Sequence, residues 1–208
     1  MSRRPQSRAR RGVERAGYPG RVRIIGGTWR SRYLEVPSVP GLRPTPGRVR
    51  ETLFNWLQPQ LPGARCLDLF AGTGALCLEA LSRGAREVVM VENSPVALEA
   101  LRANVAALCV HNARVIASDA TEFLKQVAEP FDIIFVDPPF AANLVPSCLS
   151  LIAEHGWVRP GGMVYIEAPR TLSPVPLPAG WVQHRTRTAG QVGYHLALVP
   201  TGYTESAP

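Results

Sequence analysis

From residue 64 onward, short apolar runs alternate with segments of helical spacing. The runs Arg65–Phe70, Glu87–Glu92, Arg114–Ala117, Phe131–Val136 and Met163–Glu167 are rich in Ile, Val, Leu and Phe and bounded by charge, glycine or proline. Runs of that kind read as strands buried on both faces of a sheet. The segments between them predict helices through about Ser82, over Ser94–Ala107, from about Thr121, and near Leu144–Glu154. Ser94 is the natural N-cap of the second, with Pro95 at its first position. Strict alternation of this kind predicts a parallel sheet with helices on both faces. Two late strands, at about 181–188 and 191–199, have only Ala189-Gly190 between them and must run antiparallel. The expected fold is therefore α/β and Rossmann-like, a seven-stranded sheet whose last two strands are antiparallel.

The first 60 residues are patterned differently. Arg21–Ile25, then Gly26-Gly27, then Thr28–Leu34 reads as a hairpin in which arginine alternates with apolar residues. From Gly47 the positions Val49, Leu53, Phe54, Trp56 and Leu57 have helical spacing. Arg48 and Arg50 fall in the first turns of that helix, an unfavourable place for cations beside a positive dipole end. Either a bound anion or pairing with Glu51 is expected to offset them. The chain thus divides into a basic arm over 1–20, disordered when free, a hairpin and helix over 21–60, a main domain over 61–200 and a flexible tail over 201–208.

Charge sharpens that division. Residues 1–50 hold thirteen arginines against two acids, Glu14 and Glu35, whereas the remaining 158 hold ten basic residues against fourteen acids. A mildly acidic body behind a strongly basic front predicts a nucleic-acid partner, because phosphate neutralisation supplies affinity. Ordinary globular proportions, 46% hydrophobic and 19% charged, argue against a disordered chain. No apolar run is long enough to span a membrane, and the N-terminus lacks the apolar stretch of a secretory signal. A cytoplasmic, monomeric protein is expected. Cys66, Cys77, Cys109 and Cys148 are scattered and read as buried free thiols. The four histidines are dispersed too, so no metal site is expected.

Two stretches carry chemistry. The strand Phe131–Val136 stops in Asp137-Pro138-Pro139-Phe140. Proline has no N–H for the ladder, so Asp137 is left at the carboxyl end of the strand, where open α/β sheets place their ligand crevice. A carboxylate, stiff proline carbonyls and an aromatic ring at one rim suit an exocyclic amine on a flat base. Asp137 and the Pro138 carbonyl would accept its hydrogens and Phe140 would stack on the base.

Asp68-Leu69-Phe70-Ala71-Gly72-Thr73-Gly74 is a strand-to-helix turn whose glycines let backbone N–H groups approach a ligand. Glu92 ends the next strand, where an acid can accept ribose hydroxyls, with Asn93 beside it. Asp119, followed by Ala120, is placed to receive an adenine amino group. The pattern departs from NAD binding, since Cys77 occupies the third glycine position. Asp68 has no role facing a pyrophosphate but suits the cationic amino-acid end of S-adenosylmethionine.

These motifs, in this order, resemble those of class I S-adenosylmethionine-dependent amino-methyltransferases. More narrowly, the chain is similar to the bacterial 16S ribosomal RNA guanine-N2 methyltransferases of the RsmD family. That resemblance extends to Arg23–Arg30, Leu42–Thr45, Arg48–Asn55 and Ala189–Tyr194, and covers about residues 22–199. One departure is Pro46-Gly47, where the family has a Thr-Asp pair, so a side-chain helix cap is missing. The resemblance implies methyl transfer to a guanine amine of 16S rRNA in the small ribosomal subunit, with Asp68, Phe70, Ala71, Gly72, Thr73, Gly74, Glu92, Asn93, Asp119 and Ala120 holding the cofactor. Asp137, Pro138, Pro139 and Phe140 would carry the reaction. Arg23, Arg30, Arg32, Arg43, Thr45, Arg48 and Arg50 would dock the RNA, phosphate contacts positioning without reading sequence. Adenine-N6 methylation of DNA or RNA and a non-catalytic RNA-binding module are the competing readings. The choice of guanine comes from the resemblance alone, because Asp137 would serve either base.

Overall fold

The computed structural model describes residues 20–37 and 45–202. Strands β1 (Gly20–Arg23) and β2 (Tyr33–Val36) pair antiparallel, and helix α1 (Gly47–Leu57) follows. Then come β3 (Arg65–Asp68), α2 (Ala75–Ser82), β4 (Glu87–Glu92), α3 (Pro95–Ala107), β5 (Ala113–Ala117) and α4 (Ala120–Leu124). Strand β6 (Phe131–Val136), a 3₁₀ turn (Phe140–Ala142), α5 (Val145–Glu154), β7 (Val158–Pro169), β8 (Val182–Ala189) and β9 (Val192–Leu198) complete the chain. The expected basic arm, the tail beyond Gly202 and Arg43 lie outside the described residues.

The main sheet has seven strands in the order β5-β4-β3-β6-β7-β9-β8. Strands β3 to β7 pair in parallel and β9 pairs antiparallel with both β7 and β8. From β3 the chain first winds outward through β4 and β5, then returns to place β6 on the other side of β3. That reversal opens a crevice between the carboxyl ends of β3 and β6.

Two apolar layers flank the sheet. One packs α4, α5 and the loop around Val175 against Leu67, Val89, Ile134, Val136 and Ile166. The other packs α1, α2 and the N-terminal hairpin against Cys66, Met90, Ile133, Phe135 and Tyr165. Hairpin residues Val22, Ile24, Leu34 and Val36 belong to this same cluster, so residues 20–60 share one core with the sheet.

The hairpin itself differs from expectation. Gly26-Gly27 is not a tight reversal between long strands. Instead, Thr28–Arg32 forms successive turns and β2 begins only at Tyr33. The reason is tertiary. Gly27 has φ +76° and lies so close to Ser82 that a Cβ there would sit 1.7 Å from its carbonyl oxygen. The Thr28 N–H donates to that carbonyl at 2.7 Å, and the Ser82 hydroxyl accepts from Trp29 at 2.9 Å. Backbone groups that would extend β2 are spent on the end of α2.

Arg50 is the central correction. It is buried and cannot meet RNA. Its guanidinium pairs with Glu79 at 3.5 Å and donates to the carbonyls of Thr45 (3.3 Å) and Arg23 (3.0 Å). Glu79, fully enclosed, also accepts the N–H groups of Ile25 (2.7 Å) and Gly26 (2.8 Å) and pairs with Arg83 at 2.7 Å. The cation in the first turn of α1 is therefore balanced by a carboxylate from α2, not by Glu51 or a ligand. No side chain caps α1, as Pro46-Gly47 implied. Among the cysteines, Cys66, Cys77 and Cys148 are buried but Cys109 is exposed, against expectation. Among the described residues no helix is long and apolar enough to cross a membrane, and no cluster of potential metal ligands forms.

Candidate active site at the carboxyl rim

Four acids converge on the crevice, each at or just beyond the end of a parallel strand. They are Asp68 on β3, Glu92 on β4, Asp137 after β6 and Glu167 on β7. Asp68, Asp137 and Glu167 share one sheet face because each continues the alternation of the inner cluster: Cys66-Asp68, Ile133-Phe135-Asp137, Met163-Tyr165-Glu167. None of the four forms an ion pair with an arginine, lysine or histidine among the described residues. Uncompensated, the three on the shared face hold their protons tightly.

Burial pushes the Asp68 carboxyl up to about 7, with Glu92 and Glu167 adding to it and the Phe70 N–H (3.1 Å) working against it. Asp137, half-buried, is raised well above the carboxylate range by burial and then by Glu167, despite a hydrogen bond from the Thr45 hydroxyl at 3.1 Å. Burial also raises Glu167, whose Oε1 accepts from the Tyr165 hydroxyl at 2.7 Å.

The rest of the motif follows Asp137 along the rim. Pro138 is buried, and its carbonyl takes no hydrogen bond among the described residues. Pro139 is exposed and starts the short turn that carries Phe140 outward. Phe140 is 40% exposed, and its ring stacks on no other aromatic among the described residues. An open ring beside a carboxylate is a platform for a flat ligand.

The glycine turn stands next to this rim. Gly72 (φ 53°) and Gly74 (φ 85°) occupy the left-handed region, and Gly74 begins α2 with no side-chain cap. A Cβ on Gly74 would fall 2.7 Å from Leu101, so that glycine lets α2 and α3 approach. Buried Thr73 gives its carbonyl to Asn104 at 3.1 Å, while Ala71 donates to Val91 at 2.9 Å and half-buried Phe70 follows Asp68. The Glu92 carboxylate ties the turn to α3, accepting Gly72 N–H at 2.8 Å on one oxygen and Asn93 (2.9 Å) and Ser94 (2.8 Å) on the other. These bonds orient Glu92 and leave it one lone pair on Oε2 for a hydroxyl donor.

Asp119 caps α4. Its Oδ1 takes the Thr121 hydroxyl (2.6 Å), the Thr121 N–H (2.8 Å) and the Glu122 N–H (3.3 Å), which holds its carboxyl below the usual range. Its other oxygen is the one available to an amino group, with buried Ala120 beneath.

The donor set discriminates between cofactors. Crowded carboxyls without an internal cation favour a ligand of net positive charge, beside which they ionise, and offer no partner to a pyrophosphate. A sulfonium whose ammonium end met Asp68, with a nucleoside between Glu92 and Asp119, would fit the residues present.

Residues 22–198 match the family described as Conserved hypothetical protein 95. The chain belongs to this family. Within it, the chain is 48% identical over 177 residues to ribosomal RNA small subunit methyltransferase D of Escherichia coli K12, covering 85% of this chain and 89% of that one. The Haemophilus influenzae protein of the same name is 42% identical over 181 residues, at 85% and 93% coverage. Among solved structures, the yhhF protein of E. coli superposes with a TM-score of 0.82 at 44% identity, over 88% of this chain and 99% of that one. The Thermus thermophilus 16S rRNA N2 G1207 methyltransferase, solved with AdoMet and guanosine, gives a TM-score of 0.67 at 25% identity, over 87% of this chain and 50% of that one. The fold of this family member is the class I S-adenosylmethionine-dependent methyltransferase fold.

Of the arginines expected to meet RNA, Arg23, Arg30, Arg32 and Arg48 are exposed. Thr45, expected among them, is instead buried against Asp137. Sequence reasoning missed Glu167 and Tyr165. A signal existed: Glu167 ends an apolar run, as Glu92 and Asp137 do.

Proposed function

We propose that the chain methylates the exocyclic N2 amine of a guanine in small-subunit ribosomal RNA, with S-adenosylmethionine as methyl donor. When bound, that cofactor supplies an electrophilic methyl on sulfur. The chain's own residues prepare the nucleophile. An aromatic amine is weak because its lone pair is delocalised into the ring. With the donor's positive charge in the crevice favouring ionised carboxyls, Asp137 and the Pro138 carbonyl accept the two amine hydrogens, which localises the lone pair, and Asp137 takes the proton the amine sheds. Phe140 stacks on the base, which leaves its neighbours to reach the crevice. Positioning and aimed electrostatics supply the rate.

The observation that carries guanine over adenine is Glu167. It is 4% exposed, on the strand beside Asp137 and on the same face, with its carboxylate oriented by the Tyr165 hydroxyl. Guanine presents N1–H next to its amine, whereas adenine presents a bare N1 there. Ionised beside the same positive charge, that carboxylate accepts N1–H of the first and meets another acceptor in the second.

The test is methyl transfer to unmethylated small subunits followed by nucleoside mass spectrometry. N2-methylguanosine is the expected product, and N6-methyladenosine would overturn the base assignment. Subunits reconstituted with 2-aminopurine at the target, which keeps the amine but lacks N1–H, probe Glu167 directly. Glu167→Ala should cost guanine about 1.5–3 kcal/mol, the worth of a hydrogen bond to a charged group. It should leave 2-aminopurine nearly untouched. Equal losses on both bases would remove Glu167 from base reading.

A further inference from the structure

The arginine-bearing hairpin tip lies away from the crevice. Helices α2 and α3 start at the carboxyl rim and run back toward the amino edge of the sheet. The tip docks on their far ends, Thr28 on the Ser82 carbonyl and the Arg32 guanidinium on the Ala107 carbonyl at 2.8 Å. Arg30 and Arg32 are therefore remote from the four acids. Among the described residues those acids bring no cation to the rim with which to hold an RNA backbone. Something at the rim must hold phosphates if a base is to enter.

Strand β8 supplies it. In the register of the sheet Glu167 stands opposite Tyr194, and Tyr194 opposite Arg187. Residues directly opposed across strands project from the same face, so Glu167, Tyr194 and Arg187 form one transverse row on the catalytic face. Two strand spacings separate its ends, roughly 10 Å, the scale that separates the edge of a base from its own phosphates. Arg185, opposite Leu196, projects from that face too. Tyr194 is buried in the row and stacked on Trp56 with ring centroids 5.6 Å apart, a rigid floor between the acid and the arginine.

All eight residues of β8 are exposed, and the strand, Val-Gln-His-Arg-Thr-Arg-Thr-Ala, contains no acid. Arg170, at the end of β7, is anchored beside it through its backbone N–H to the Gln191 carbonyl at 2.8 Å. Among the described residues neither Arg170, Arg185 nor Arg187 has a carboxylate within ion-pair distance, whereas Arg21, Arg65, Arg83, Arg114 and Arg159 each do. Charge on an edge strand also discourages sheet-to-sheet aggregation. That accounts for polar residues on β8, but not for two cations on the catalytic face in register with the acids.

We propose that Arg185 and Arg187, with Arg170, form a phosphate-binding surface for the RNA strand flanking the target nucleotide. This rests on the RNA reading above but not on the choice of base. The surface positions the backbone and reads no sequence. Its arginines supply, in register with Glu167, the cations that the rim itself lacks.

The experiment measures binding of the full chain to unmethylated small subunits over a salt series. Removing one cation that neutralises a phosphate of a single strand lowers the log–log salt slope by about 0.7, so R185Q/R187Q should lower it by about 1.4. The Michaelis constant for subunits should rise several-fold, with cofactor affinity and thermal midpoint unchanged. R102Q, on the exposed side of α3, removes one cation away from the rim and is the charge-matched control for R187Q. R187E separates the two accounts of the strand, because glutamate protects an edge as well as arginine does. It should bind worse than R187Q. Wild-type slope and affinity in R187E, or a double variant indistinguishable from R102Q, would overturn the proposal. A product other than N2-methylguanosine with altered salt slopes would overturn the base assignment and leave this surface standing.

Discussion

Asp68 shows how one residue ties stability to ligand binding. Burial raises its carboxyl to about 7 in the folded chain, so the folded state keeps a proton that the unfolded chain releases near its ordinary value. Its contribution to stability is complete below that unfolded value and is lost as pH rises through about 7. A cationic ligand end beside it favours the ionised form. Binding of S-adenosylmethionine at about pH 6.5 should therefore release protons, seen as calorimetric heats that depend on the buffer's ionisation enthalpy. Asp68→Asn should abolish that dependence and weaken binding about 10–100-fold. Buffer-independent heats in the wild type would deny Asp68 a cationic partner. Arg50 is the opposite lesson at this scale, since its placement beside exposed Arg48 gave no hint that its charge points inward. What decides is Glu79, twenty-nine residues away, which the sequence does not connect to it.

At the scale of elements, strands and helices of the sheet were legible because each is specified by local period and by caps such as Ser94. The hairpin was legible as an antiparallel pair, but its connection was not, because a tertiary contact sets that shape. Glu79 of α2 accepts two of the hairpin's backbone N–H groups and pairs with Arg50 of α1, which in turn donates to the Arg23 carbonyl. Replacing Glu79 with Ala would leave Arg50 buried without its partner, a change that costs about 3–5 kcal/mol. The expected fall in thermal midpoint is on the order of 10 °C for a chain of this size. A fall of only a degree or two would mean that water or a rearranged carbonyl satisfies Arg50. The same logic explains Thr45. Placed among phosphate contacts by its neighbours in sequence, it sits where α1 begins and turns its hydroxyl onto Asp137.

For the whole molecule, the reversal of winding at β3 brings together acids that lie up to ninety-nine residues apart, Asp68 and Glu167. The N-terminal hairpin is part of that assembly. Its apolar side closes one layer over α1 and α2, and the Asn104 side chain bonds Glu35 in β2 and Thr73 in the glycine turn at once. A chain beginning at Thr45 should therefore lose cooperative unfolding and solubility rather than only RNA affinity, as circular dichroism on heating would show. A truncated chain with the full-length midpoint would make the hairpin an independent module.

Local pattern alone specifies the alternating fold, the antiparallel final pair and the rim positions of Asp68, Glu92, Asp119 and Asp137. Each of those follows from a strand that ends in a glycine turn, a helix cap or two prolines, signals carried within a few residues. The tertiary structure decided which strands are neighbours. That put Glu167 beside Asp137, set Arg187 in the same row, and turned Arg50 from a surface cation into a buried strut. The physical reason is range: periodicity and capping act along the chain, whereas charge compensation and sheet register act across it, between residues that only the packed fold brings into contact.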